Sequence, residues 1–106
     1  MFKKAIAVFI VASIMMISFS FSSLAEPFVY DCGVYHGYNG ASWYDQAWVD
    51  CYADDYDCYM YVSINKNGNV YGLKRTTVLA YHRSTCYSYQ VQGSGGGVYY
   101  YYEVLD

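Results

Sequence analysis

Side chains able to do chemistry near neutral pH are few in this 106-residue chain. His36 and His82 could act as general bases. Neither sits in a recognised nucleophile pattern, because the chain has no Gly-x-Ser-x-Gly, no His-Glu-x-x-His and no phosphate-cradling glycine loop. Two of the nine carboxylates could in principle meet across a cleft for glycoside hydrolysis, but no spacing marks such a pair. Asp50, Asp54, Asp55 and Asp57 offer oxygen ligands of the kind calcium takes. They do not follow the Asp-x-Asp-x-Asp-Gly loop with its closing Glu, and they read as a solvated acidic loop. No catalytic, metal or cofactor residue is assigned, and the chain reads as a binding protein rather than an enzyme.

Cysteine is the next informative type. Cys32, Cys51, Cys58 and Cys86 are an even set without Cys-x-x-Cys spacing. In a small exported domain such a set reads as disulfides rather than zinc ligands. Three pairings are possible. Cys51–Cys58 with Cys32–Cys86 is preferred, since it closes one short loop and ties an early strand to a late one. The chain-entropy relation gives about 2.5 kcal/mol for the short loop and about 4 for the long one.

Export is indicated by the first 25 residues. Lys3 and Lys4 form a basic start, Ala5 to Phe21 an apolar stretch softened by serines, and Ser23-Leu24-Ala25 a small-residue cleavage site. This is the pattern of a secretory signal peptide, leaving residues 26–106 as one extracellular domain. That domain holds Lys66, Lys74, Arg75 and Arg83 against nine carboxylates, a balance of −5. Such a balance argues against nucleic acid as a partner, and against capture by anionic membranes through overall charge; contact with a membrane is expected only during export. At 81 residues the domain is marginal on its core alone, so covalent staples are expected.

The elements that must position these residues are strands. Phe28 to His36 alternates, and Asn39-Gly40 supplies a tight turn. Ser42 to Tyr52 is compatible with a helix or a strand, and is read as irregular or a short strand. Cys58 to Ile64 is the clearest strand, with Cys58, Met60, Val62 and Ile64 on one face. Asn65 to Asn69 turns it back into Val70 to Lys74, and Val78 to His82 is a further candidate. Cys86 to Gln92 and Val98 to Val104 flank Gly93 to Gly97 and read as a hairpin. Six or seven short strands without a convincing helix predict an all-β fold, a small antiparallel β-sandwich stapled by disulfides.

All sixteen tyrosines lie beyond residue 25. Tyrosine presents a large ring at low entropy cost and keeps a hydroxyl, which suits recognition and stacking on sugars. The last strand has tyrosine on both faces, so one of the sets Tyr99 with Tyr101 or Tyr100 with Tyr102 is expected to be exposed as a recognition surface.

The order of features resembles the lactococcin 972 family of secreted bacteriocins. The residues that carry it are Gly33-Val34-Tyr35-His36-Gly37-Tyr38, Ala41-Ser42-Trp43-Tyr44, Val62-Ser63-Ile64-Asn65 with Gly68-Asn69, Cys86-Tyr87-Ser88-Tyr89 and Tyr99 to Tyr102. The resemblance implies an antiparallel β-sandwich that binds the cell-wall precursor lipid II of competing Gram-positive bacteria. The cysteine quartet and the acidity depart from the family pattern. A negative domain approaching a pyrophosphate works against Coulomb's law. The other reading is a non-toxic extracellular module whose tyrosine-lined faces recognise a glycan or a protein.

Overall fold

A computed structural model describes the backbone of residues 3–11 and 15–19 and the whole of residues 26–106. Among the described residues there are nine strands and no helix: β1 Lys3–Val11, β2 Met15–Phe19, β3 Phe28–Tyr38, β4 Trp43–Tyr52, β5 Cys58–Lys66, β6 Asn69–Val78, β7 Arg83–Tyr87, β8 Val91–Gln92 and β9 Gly97–Leu105. They form two antiparallel sheets, one ordered β2-β1-β9-β5-β6 and the other β3-β4-β7, with β8 also paired to β4. The expected all-β class with two antiparallel sheets is what the chain adopts. The Ser23-Leu24-Ala25 cleavage signal lies outside the described residues. The apolar stretch before it supplies β1 and β2, and β1 pairs with the C-terminal part of β9 from Lys3↔Leu105 to Ile6↔Tyr102.

Period-two alternation explains the core. In β4, Asp45, Ala47, Val49 and Cys51 are buried while Tyr44, Gln46, Trp48, Asp50 and Tyr52 point outward. In β5, Cys58, Met60, Val62 and Ile64 face inward. In β9, Val98, Tyr100, Tyr102 and Val104 do the same. These inner faces meet in one cluster, so Tyr100 and Tyr102 are the largest side chains of a thin core. Burial pushes both phenols well up, and a hydrogen bond to the Glu26 carboxylate raises Tyr102 further. The folded state therefore holds these protons longer than the unfolded chain. Their contribution to stability is whole below the ordinary phenol range and is lost as pH rises above that range towards the raised values of the folded state. An absorbance titration should show Tyr100 and Tyr102 ionising only together with the loss of near-ultraviolet dichroism. Smooth ionisation of all sixteen tyrosines in the native state would contradict the assignment.

Of the readings open for Ser42 to Tyr52, the strand is the one adopted, and two other sequence expectations are corrected. Trp43–Tyr52 is a full strand because β3 pairs it on one side and β7 and β8 on the other. Val78 to His82 is not a strand. It is a turn in which Tyr81 adopts φ +63° and donates its N–H to Ala53 O, while β6 itself runs on to Val78. Most consequentially, Cys86 to Val104 is not a hairpin. β7 pairs with β4 and β9 with β5, so Gly93 to Gly97 carries the chain from one sheet to the other. The break begins at Ser88, whose hydroxyl takes the Ala47 N–H (2.9 Å), and at Tyr89, whose N–H goes to Gly72 O on β6.

Candidate binding face

The outward side chains of β4 give a row, Tyr44, Gln46, Trp48 and Asp50, at the centre of the smaller sheet. Register fixes their neighbours: Gly37↔Tyr44, Tyr35↔Gln46 and Gly33↔Trp48 on β3, with Trp48↔Tyr87 and Asp50↔Thr85 on β7. Aromatic side chains from three strands thus share one face. Two glycines of β3 make room for them. A Cβ on Gly33 would lie 2.9 Å from Cζ2 of Trp48, and one on Gly37 would lie 3.0 Å from the Tyr44 hydroxyl and 2.5 Å from the Tyr35 ring. The indole and the phenols therefore lie down across the bare backbone instead of standing off the sheet, the arrangement in which an aromatic covers a strand glycine.

Between these rings is an open depression of about 420 Å³ lined by Tyr35, Tyr44, Gln46, Trp48, Asp50, Thr85 and Tyr87. Its polar groups are held in place. The Gln46 amide donates to Ser88 O at 2.9 Å. Asp50 accepts from Nε and Nη2 of Arg83 at 3.1 and 2.7 Å, and the Arg83 guanidinium in turn sits 3.9 Å from the centre of the Tyr30 ring. The hydrogen bonds from Arg83 hold Asp50 below the usual carboxylate range. Rings flanked by an amide, a hydroxyl and a carboxylate are what an uncharged or weakly charged sugar requires: apolar faces for its C–H groups, polar groups for its hydroxyls.

Comparison with protein families, with curated proteins and with solved structures gives no match to this chain.

The tyrosines expected to form the recognition surface divide between two faces. Tyr100 and Tyr102 are core. Tyr99 and Tyr101 point outward on the larger sheet, where Tyr101 stacks on Tyr61 (4.4 Å between ring centres, 9° between planes) and Tyr99 tilts against it. Tyr61 donates to Glu103 (3.3 Å), and Arg75 covers the neighbouring Tyr59. This outer row satisfies its rings with one another, which leaves it less ring surface to offer a ligand than the opposite sheet has.

His36 and His82 do not meet. His36 Nδ1 is 2.7 Å from Oδ1 of the buried Asp45, its ring stacks on Trp43 at 5.1 Å, and Asp45 Oδ2 accepts the Gly96 N–H. The pair fastens the β3–β4 turn to the glycine crossover. His82 lies in the 79–82 turn with Nδ1 beside Ala80 O. The acidic residues also go separate ways: Asp50 to Arg83, Asp55 to the Tyr81 hydroxyl, Asp57 to the Ala80 N–H. The described residues hold no group of three or more side chains placed to bind a metal.

All four cysteines are present as thiols. The thiol that hydrogen-bonds to Cys51 is that of Cys86, on the neighbouring strand; burial pushes Cys58 up to about 12 and also raises Cys32. The expected bridges Cys51–Cys58 and Cys32–Cys86 are not formed in the structure.

Sequence reasoning missed Trp48, Tyr35, Tyr44, Gln46 and Tyr87 as a set. One signal was available: Tyr44-x-Gln46-x-Trp48 at period two, with Gly33 and Gly37 four apart on the preceding strand. Gly33→Ala tests the geometry. The added methyl must displace the indole, so Trp fluorescence should shift and ligand binding fall, with a stability loss of about 1 kcal/mol. An unchanged emission spectrum would mean that the indole does not rest on Gly33.

Proposed function

We propose that the chain is an exported, non-enzymatic antibacterial protein that binds a saccharide-bearing component of the envelope of competing Gram-positive bacteria through the β3-β4-β7 face. One observation carries this reading: Tyr35, Tyr44, Trp48 and Tyr87 ring the side chains of Gln46, Asp50 and Thr85 on a single open sheet face. The resemblance to lactococcin 972 supplies the expectation of toxicity and of lipid II as target. The saccharide half of such a precursor suits an acidic domain better than its pyrophosphate does. The supporting facts are the leader-like first 25 residues, the −5 balance and an aromatic face of sugar-binding chemistry.

The same face supports the second reading, a non-toxic glycan-binding module. The two readings part on one assay. Protein recovered from culture medium should clear a lawn of sensitive Gram-positive cells, and added lipid II should protect the lawn. Trp48→Ala and Tyr87→Ala should each weaken retention on purified peptidoglycan about tenfold, the ~1.4 kcal/mol scale of one well-placed aromatic. Retention without killing selects the non-toxic module. Full retention by both variants removes the face from the account.

A further inference from the structure

Outward side chains two apart on a strand stand about 7 Å from one another, so the β4 row places Gln46 and Asp50 on either side of Trp48. The indole has one face against the bare backbone of Gly33, where an added Cβ would come within 2.9 to 3.2 Å of Cζ2, Cε2 and Nε1. Its other face is part of the floor of the open depression. A sugar ring laid on that floor meets an amide at one edge and a carboxylate at the other. The Gln46 amide is fixed by its bond to Ser88 O (2.9 Å).

Asp50 is held more firmly. Nε of Arg83 reaches Oδ1 at 3.1 Å and Nη2 reaches Oδ2 at 2.7 Å, a fork with one bond to each oxygen. Each carboxylate oxygen has a second lone pair, so both are left to accept from a ligand, side by side in one plane. Asp31, in register with Asp50 on β3, turns instead to the Cys32 N–H (2.8 Å) and does not line the depression. Two fixed acceptors in one plane suit two hydroxyls on adjacent ring carbons, one to each oxygen. The charge sharpens the choice. A hydrogen bond to an ionised acceptor is the stronger kind, and an acidic sugar is repelled.

The row also has a direction. On the Gln46 side of Trp48 come Tyr44 and, across on β3, Tyr35, whose rings continue the aromatic floor. Past Asp50 the floor stops. Arg83, in register with Tyr52, crosses the end of the row with its guanidinium 3.9 Å from the centre of the Tyr30 ring. We infer, building on the saccharide reading above, that the face takes the non-reducing end of a neutral glycan. The last ring lies on Trp48, its adjacent 3- and 4-hydroxyls bond the two oxygens of Asp50, and the chain leads back over Gln46 towards Tyr44. Arg83 is the positioning residue that holds the carboxylate. In a β-1,4-linked chain every inner ring uses its 4-hydroxyl in a linkage, so only the end carries the pair.

The test uses protein recovered from culture medium and two soluble probes, read by calorimetry. One is the methyl glycoside of N-acetylchitotetraose, a neutral chain of β-1,4-linked 2-acetamido sugars; the other is the same glycoside lacking the terminal 4-hydroxyl. Wild type should prefer the first by about tenfold or more, the scale of a hydrogen bond to a charged acceptor. In Asp50→Asn and in Arg83→Gln that preference should shrink to about twofold or less. A ratio taken within one protein does not depend on the fraction folded, and a merely structural Arg83 would weaken both sugars and keep the ratio. Trp48→Ala should weaken both probes alike, because it removes the floor and not the carboxylate. Equal binding of the two probes by wild type, or a preference that survives Asp50→Asn, would overturn the inference. A preference that survives Arg83→Gln would overturn its positioning role. Wild type that binds neither probe would remove the saccharide reading itself.

Discussion

Tyr100→Ala and Tyr102→Ala are each expected to cost about 3–5 kcal/mol, the range for deleting a buried aromatic. Small domains have about 5–15 kcal/mol in all, so either loss is a large share of the total. Both rings are essentially inaccessible, packed among Met60, Val62, Val98 and Val104 between two sheets that bury few other large side chains. Tyr102 also loses its hydrogen bond to Glu26. Tyr99→Ala and Tyr101→Ala are the contrast. They sit one residue away on the same strand, yet on the outer face, and Tyr101 gives up chiefly its stack on Tyr61, about 0.5–1.5 kcal/mol. Thermal melts decide the matter. At 4–8 °C per kcal/mol, the inner pair should fall by more than about 12 °C and the outer pair by a few degrees. Equal losses at neighbouring positions would contradict the alternation on which the two-sheet architecture rests.

The second large effect concerns the thiols. Cys51 and Cys86 are cross-strand neighbours in register with Ser84 and Val49, and their thiols hydrogen-bond to each other. In an oxidising medium these two are expected to join, rather than Cys51 with Cys58 and Cys32 with Cys86. The bridge closes a loop worth about 4 kcal/mol in the chain-entropy relation, so reduction, or Cys51→Ser with Cys86→Ser, should lower the melting temperature by more than about 15 °C. Cys58 and Cys32 should remain titratable as two thiols in the denatured protein. Cys32, Cys51 and Cys58 have no lysine or arginine between them, so mapping needs pepsin rather than trypsin. Cys58 linked to Cys51 would reinstate the sequence-based pairing. Four free thiols in exported protein would remove the staple altogether.

What could be read from the chain before folding was local. Strict alternation in Cys58–Ile64 and in Val98–Val104 gave both strands and their inward faces, because period two alone decides which side of a pleat a residue takes. The pairing of Cys86–Gln92 with Val98–Val104 was misread for the opposite reason. Two β-prone runs around glycines look alike whether the glycines turn the chain back or carry it across a sandwich, and the hydrogen bonds of the Ser88 hydroxyl with the Ala47 N–H and of the Tyr89 N–H with Gly72 O distinguish them. The aromatic face was hidden in the same way. It needs Gly33 opposite Trp48 and Trp48 opposite Tyr87, a register across three strands of which two are distant in sequence.

Three of the four cations between residues 26 and 106, Lys66, Lys74 and Arg75, are on the β5–β6 hairpin, and their placement sets where a protease can cut. A protease that cuts after lysine or arginine finds four targets between residues 26 and 106. Lys74 and Arg75 are inside the β6 ladder against Val62 and Tyr61, and Arg83 opens β7 with its side chain clasped by Asp50. Lys66 ends β5, and the bond that follows it enters the Asn67-Gly68 turn. Cleavage at the other three requires a strand to leave its sheet, so digestion there follows the rare opened state and not the encounter with the enzyme. Nicking is expected first at the Lys66–Asn67 bond, which would leave the two pieces held together by β5 and β6 on either side of the cut.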